Sequence, residues 1–153
     1  MLIEQRAQLE RSILGEHLDT AKLDALLELG ELTHLQPGSV LFREGEAIGH
    51  IFVLLAGRLN LAMHVPGRGD CHILTLGAGE LVAWSAVLAD GTMSCTALCV
   101  DEAKLLAVDA AKIQAEIKND PEFGNQFMKM LASALAKRLV ATRLQLLDLF
   151  KRE

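Results

Sequence analysis

The stretch GELVAWSAVLADGTMSCTA, Gly79 to Ala97, concentrates the residues able to hold a small polar molecule. Small side chains let a ligand approach the backbone closely, and Ser85, Ser94 and Thr96 offer hydroxyls that both donate and accept hydrogen bonds. The outline is that of a loop that cradles an anion in backbone amides, yet the stretch holds no Lys or Arg. Trp84 is the sole tryptophan of the chain. It either fills the space beside this loop as core or lines a pocket there.

Other chemistries find less support. His17, His34, His50, His64 and His72 form no His-x-His pair with a nearby Glu, so a cupin-like metal site has no evident ligand set. Cys95 and Cys99 have no base beside them, and GELVAWSAV lacks the Gly-x-Ser-x-Gly elbow of a serine hydrolase. Cys71, Cys95 and Cys99 are odd in number and form no Cys-x-x-Cys, which reads as reduced, mostly buried thiols. The expectation is therefore no enzyme, no metal and no resident cofactor. A nucleotide-like or other small anionic molecule is the ligand class that the loop invites.

The 153 residues suit one compact domain, and with 51% hydrophobic and 23% charged residues the chain has the composition of a folded protein. Every apolar run is broken well short of the ~20 residues that cross a bilayer, and charges at Glu4, Arg6, Glu10 and Arg11 exclude a signal-peptide core. A cytoplasmic protein without membrane contact is expected. The net charge of −5 argues against a chain built mainly to hold nucleic acid.

The elements that must position the loop follow from periodicity. Ahead of Pro37, apolar residues recur at helical spacing on both sides of Gly15, which predicts two short helices, the second capped by Asp19 or Thr20. Residues 1–18 then form a helical extension to a domain over 19–153. Beyond Pro37, glycines at 38, 45, 49, 57, 67, 69, 77 and 79 cut the chain into strand-length pieces with a period of two. Ile51, Val53 and Leu55 oppose Phe52 and Leu54; PGRGD, residues 66–70, reads as a hairpin tip. SCTALCVDEAKLLAVD supplies two further strands, the first with Ser94, Thr96 and Leu98 on one face and Cys95, Ala97 and Cys99 on the other.

The helical period returns after Asp109 in AAKIQAEIKND, and a last helix over about 122–150 starts from Pro121. It carries two apolar stripes. One holds Met128, Leu131, Leu135, Leu139, Leu146 and Leu149, interrupted by Thr142; the other holds Phe123, Phe127, Met130, Ala134, Ala141, Leu144, Leu147 and Phe150. One small domain offers one surface, so the second stripe calls for a partner, most economically the same helix of a second copy. The basic stretch AKRLVATR, residues 136–143, reads as a solvated edge, with charge alone to recommend a protein partner there. The fold class expected is mainly β with flanking helices: a double-stranded β-helix, or cupin-like jelly-roll, with N-terminal helices and a long C-terminal dimerisation helix.

This order of pieces, with Pro37-Gly38, Leu41-Phe42, EGE at 44–46, Phe52-Val53, Gly57, LGAGE at 76–80 and LLAVD at 105–109, resembles the cyclic-nucleotide-binding domain of the catabolite-activator and fumarate-nitrate-regulator family. The resemblance runs from about Asp19 to about Leu149. It implies a short helix after Gly79-Glu80 whose first amides face a cyclic phosphate. The implied ligand site comprises Leu81, Val82, Ala83, Trp84, Ser85 and Ala86, the facing Ser94, Cys95 and Thr96, with the Ser94 face as the pocket face. Thr142 and Arg143 align with positions where relatives present polar groups to the base across a dimer.

Two departures qualify what that site can hold. Ala83-Trp84 stands where nucleotide-binding relatives carry the Gly-Glu pair that holds the ribose, and Ser94 stands where they carry the arginine that pairs with the phosphate. Losing the charged partner of a buried phosphate costs about 2–5 kcal/mol. At about 1.4 kcal/mol per tenfold, micromolar binding falls to millimolar. The helix-turn-helix of family transcription factors has no counterpart after LQLLDLFKRE, so direct DNA binding is not expected. The reading is a non-enzymatic regulatory sensor or adaptor that does not take cyclic AMP in the usual way; the alternatives are a ligand-free interaction module plugged by Trp84 and, least favoured, a cupin-like metal enzyme.

Overall fold

A computed structural model describes residues 2–151. Three helices lead, not two: α1 (Leu2–Glu10), α2 (Ile13–His17) and α3 (Thr20–Leu29). The additional break falls at Ser12, whose hydroxyl donates to the Leu9 carbonyl at 2.5 Å and accepts from the Leu14 amide at 3.2 Å, closing one helix and capping the next. Asp19 caps α3 by accepting from the Lys22 amide at 3.1 Å.

Six strands follow: β1 (Gly30–Leu35), β2 (Val40–Phe42), β3 (His50–Val65), β4 (Gly69–Leu76), β5 (Leu81–Val82) and β6 (Thr96–Asp109). All pairings are antiparallel. β3 and β6 form a long two-stranded ribbon whose register shifts between Leu54 and Leu59. One half of the ribbon is flanked by β1 and β5, the other by β2 and β4, which makes the two sides of a β-roll. Gly57 and the segment near Asp101 thus bend strands where the sequence pattern suggested that they end. At Gly57, φ is +94° and an added Cβ would lie 2.5 Å from the Glu102 carbonyl oxygen, so only glycine allows the two strands to cross this closely.

The period of two sorts the ribbon between two cores. Ile51, Val53 and Leu55 face the helices, packing with Leu9, Leu14, Leu26, Phe123 and Phe127. Phe52 and Leu54 face into the roll with Phe42, Leu59, Leu76, Ala97 and Cys99. Both faces of the strands are therefore buried, at roughly 1.5–3 kcal/mol for each large apolar side chain. Leu9, Ile13, Leu14 and Leu18, from the N-terminal extension, belong to the helix-side core itself.

The remaining helices are α4 (Ser85–Leu88), α5 (Ala110–Asn119) and α6 (Pro121–Lys151). Asp109 caps α5 through the Ala111 and Lys112 amides, and Asp120 caps α6 through the Glu122 and Phe123 amides, with Pro121 in the first turn. α6 is anchored by Phe123, Phe127, Met130 and Leu131 and leaves the core after that turn. From Leu139 to Phe150 its large apolar residues are exposed.

Candidate functional site

β5 ends at Val82, and Ala83 turns the chain at φ 65°, the one non-glycine with positive φ among the described residues. An L-residue pays roughly 1–2 kcal/mol for this conformation. Surrounding contacts hold it: Val82 pairs with Phe52, the Ala83 carbonyl accepts from the Ala86 amide at 3.2 Å, and Ala83 is itself buried. Trp84 is the N-cap of α4 and Ser85 its first residue, and their amides precede its first internal hydrogen bond. The Ser85 carbonyl accepts from the amides of Ala89 and Gly91, which folds the 83–91 segment into a closed turn.

Beside this turn lies a cavity of about 30 Å³, lined by Phe42, Leu61, Val82, Ala83, Trp84, Ser85, Met93, Ser94, Cys95 and Arg138. That is room for little more than water. A cation reaches the loop from α6. Arg138 Nη2 donates to the Leu81 carbonyl at 2.6 Å, which brings a guanidinium to the base of the loop. Burial pulls the affinity of Arg138 for its proton down, while the Glu80 carboxylate opposes that effect. A guanidinium remains charged in either case. Burial pushes the Cys95 thiol up, with nearby Arg138 acting in the opposite direction.

Several expected site residues meet here. Val82, Ala83, Trp84, Ser85, Ser94 and Cys95 line the cavity, and Leu81 supplies the carbonyl held by Arg138. Trp84 is half-buried, packing on the helix-side core as well as bounding the cavity. Ala86 lies in the helix-side core and not on the cavity wall. Thr96 does not line the cavity either: its hydroxyl accepts from the Glu44 amide at 2.9 Å and fixes the 43–46 turn. The alternation along β6 is as expected, but its inward face is that of Ala97 and Cys99, with Leu98 exposed; Ser94 lines the cavity from the bend before the strand, which starts at Thr96.

Thr142 and Arg143 do not reach this cavity within the chain. The Thr142 hydroxyl donates back to the carbonyls of Arg138 and Leu139, and its side chain borders a wider cleft of about 470 Å³ between α6 and the β3–β4 hairpin. Arg143 is exposed. Of the residues expected along the dimer stripe, Leu131 is 1% exposed inside the chain's own core and is corrected out of that face. Leu135 is half-buried, whereas Met128, Leu139, Leu146 and Leu149 are exposed. Arg138, read from sequence as part of a solvated edge, is the residue missed; its position one helical turn before Thr142 was the available signal.

Among the described residues no three His, Cys, Asp or Glu side chains are grouped to hold a metal ion, and no helix is long and apolar enough to cross a membrane. Residues 32–120 match the family model described as "Cyclic nucleotide-binding domain". The chain belongs to this family. It is 20% identical over 141 residues to a CRP-like cAMP-activated global transcriptional regulator of Mycobacterium tuberculosis, covering 92% of this chain and 61% of the regulator. The catabolite activator protein of Thermus thermophilus superposes with a TM-score of 0.73 at 26% identity, covering 92% of this chain and 63% of that one. A cyclic nucleotide-binding domain from Methylobacillus flagellatus shares the fold with a TM-score of 0.86 at 16% identity, covering 94% of this chain and 83% of that one. The chain thus spans under two-thirds of the length of the regulators it matches, and the family to which it belongs is one of non-enzymatic regulatory domains.

Proposed function

We propose that this member of the cyclic nucleotide-binding domain family is a sensor or adaptor whose loop pocket does not hold cyclic AMP in the usual way. The observation that carries the reading is Arg138, which donates to the Leu81 carbonyl and walls a cavity of only about 30 Å³ beside the loop. Small-molecule pockets run to about 300 Å³ or more, so a ligand enters only as Arg138 and the helix bearing it withdraw. Pocket opening and the position of α6 are then one equilibrium, which a ligand shifts by its differential affinity for the open form. Once released from Leu81, Arg138 can pair with an anion through two parallel donors, in place of the loop arginine.

The output passes through α6. Its exposed apolar length from Leu139 to Phe150 supports a homodimer, and the helix pair is what a second protein would read. This is the regulatory role of the family carried out with a different set of charges at the loop.

The test combines thermal melting with thiol alkylation at Cys95, which borders the closed cavity. In the wild type, micromolar cyclic AMP is expected to leave the melting temperature unchanged, whereas millimolar anionic ligands raise it. Arg138→Ala should lose that response and alkylate faster at Cys95. Strong stabilisation by micromolar cyclic AMP would restore the usual family reading. No response to any nucleotide or anion at millimolar concentration would favour the ligand-free module, in which Trp84 and Arg138 simply fill the site.

A further inference from the structure

A separate cleft lies where α2, the 77–80 turn and α6 meet. It measures about 190 Å³ and adjoins a hollow of about 230 Å³, with Arg11, Ala78 and Gly79 lining both. Arg11, Lys137 and Arg138 face it against Glu16 and Glu80. In a chain of net charge −5 this is a local reversal of sign, which attracts anions.

The carboxylates offset only part of the cationic charge. Glu80 Oε2 accepts from the Gly77 amide at 2.6 Å. Glu16 meets Lys137 Nζ at 3.5 Å in an exposed pair, the kind that contributes little. The Arg11 side chain has no hydrogen bond or ion pair among the described residues, while its backbone is fixed: the next helix docks on the turn through the Ile13 amide, which donates to the Gly79 carbonyl at 3.0 Å. Gln8 lines the adjoining hollow, and its side-chain oxygen is buried with no partner among the described residues. Buried acceptors are nearly always satisfied, so this one calls for a donor.

We propose that this cleft is a second binding site, for a small phosphate or carboxylate that also carries a hydroxyl. The anion meets Arg11 and Lys137, and the hydroxyl donates to the Gln8 oxygen as that side chain turns into the hollow. The site stands on its own residues, apart from the loop pocket, but Arg138 forms a wall of both cavities. Occupancy of one therefore changes the setting of the other.

Amide NMR shifts of the whole chain, titrated with glycerol 3-phosphate, inorganic phosphate and glycerol, test the proposal. Glycerol 3-phosphate is expected to move the amides of Arg11, Ala78, Gly79 and Lys137, more tightly than phosphate and with weakening in added salt. Glycerol alone should move none of them. Arg11→Gln with Lys137→Gln, both at the surface, should weaken binding about tenfold or more, and Gln8→Met should erase the preference over phosphate. Shifts unchanged in the double variant, or no shifts, overturn the site. Shifts confined to Trp84 and Ser85 also overturn it while leaving the loop-pocket reading intact; shifts at Arg11 and Lys137 with none at the loop leave this site intact and count against that reading.

Discussion

Ala83 stores backbone strain at the point where the loop turns, and the sequence revealed only that the residue was small. Its φ of 65° sets a specific expectation for substitution. Ala83→Val places a β-branched side chain in the left-handed region at a buried site, and should lower stability by about 2 kcal/mol or more. Ala83→Gly should stay within about 1 kcal/mol of wild type, since relief of strain is offset by the greater freedom of glycine in the unfolded chain. Urea unfolding midpoints measured for both variants check the pair; equal effects would mean that the backbone angle is not what matters. Arg138 makes the complementary point. Its charge was legible, but its partner is a carbonyl 57 residues away in sequence, and no local pattern connects the two.

At the scale of elements, the roll depends on bending β3 and β6 together. The alternation of Ile51 to Leu55 gave both buried faces correctly, because side-chain direction along a strand is a local property. Strand ends were less legible, since a glycine either terminates a strand or bends it depending on what crosses it. Gly57 and Gly38 separate these effects. Both have positive φ, but an alanine Cβ at 57 would meet the Glu102 carbonyl oxygen at 2.5 Å, whereas at 38 nothing lies within 4 Å. Gly57→Ala is expected to cost about 2–3 kcal/mol or more, and Gly38→Ala only about 1–2 kcal/mol. Similar melting temperatures for the two variants would show that the bend does not depend on the close crossing.

At the scale of the whole molecule, α6 belongs to two bodies. Its first three turns complete the helix-side core through Phe123, Phe127, Met130 and Leu131, while Leu139, Leu144, Leu146, Leu147, Leu149 and Phe150 remain more than half exposed. An apolar face of this extent is uncommon on a monomer. Sedimentation should find a dimer for the wild type and a monomer for Leu146→Glu with Leu149→Glu, with helical circular dichroism of the folded core retained. A wild type that sediments as a monomer at micromolar concentration would rule out the pairing. Because the same helix carries Arg138, the proposed pairing would link assembly to the state of the pocket.

The sequence by itself determined the fold class, the succession of helical and strand-rich segments, and the helix starts at Asp19, Asp109 and Pro121. Those features rest on periodicity, capping and turn chemistry, each confined to a few neighbouring residues. Only the tertiary structure decided that Leu131 faces inward, that the Thr96 hydroxyl serves the Glu44 amide, and that Arg138 stands at the loop. These depend on which surfaces the folded chain brings together. An arginine with the same helical neighbours is solvated on one face and buried on the next, and the packing of α6 against α5 and α2, which brings Arg138 to Leu81, makes that choice.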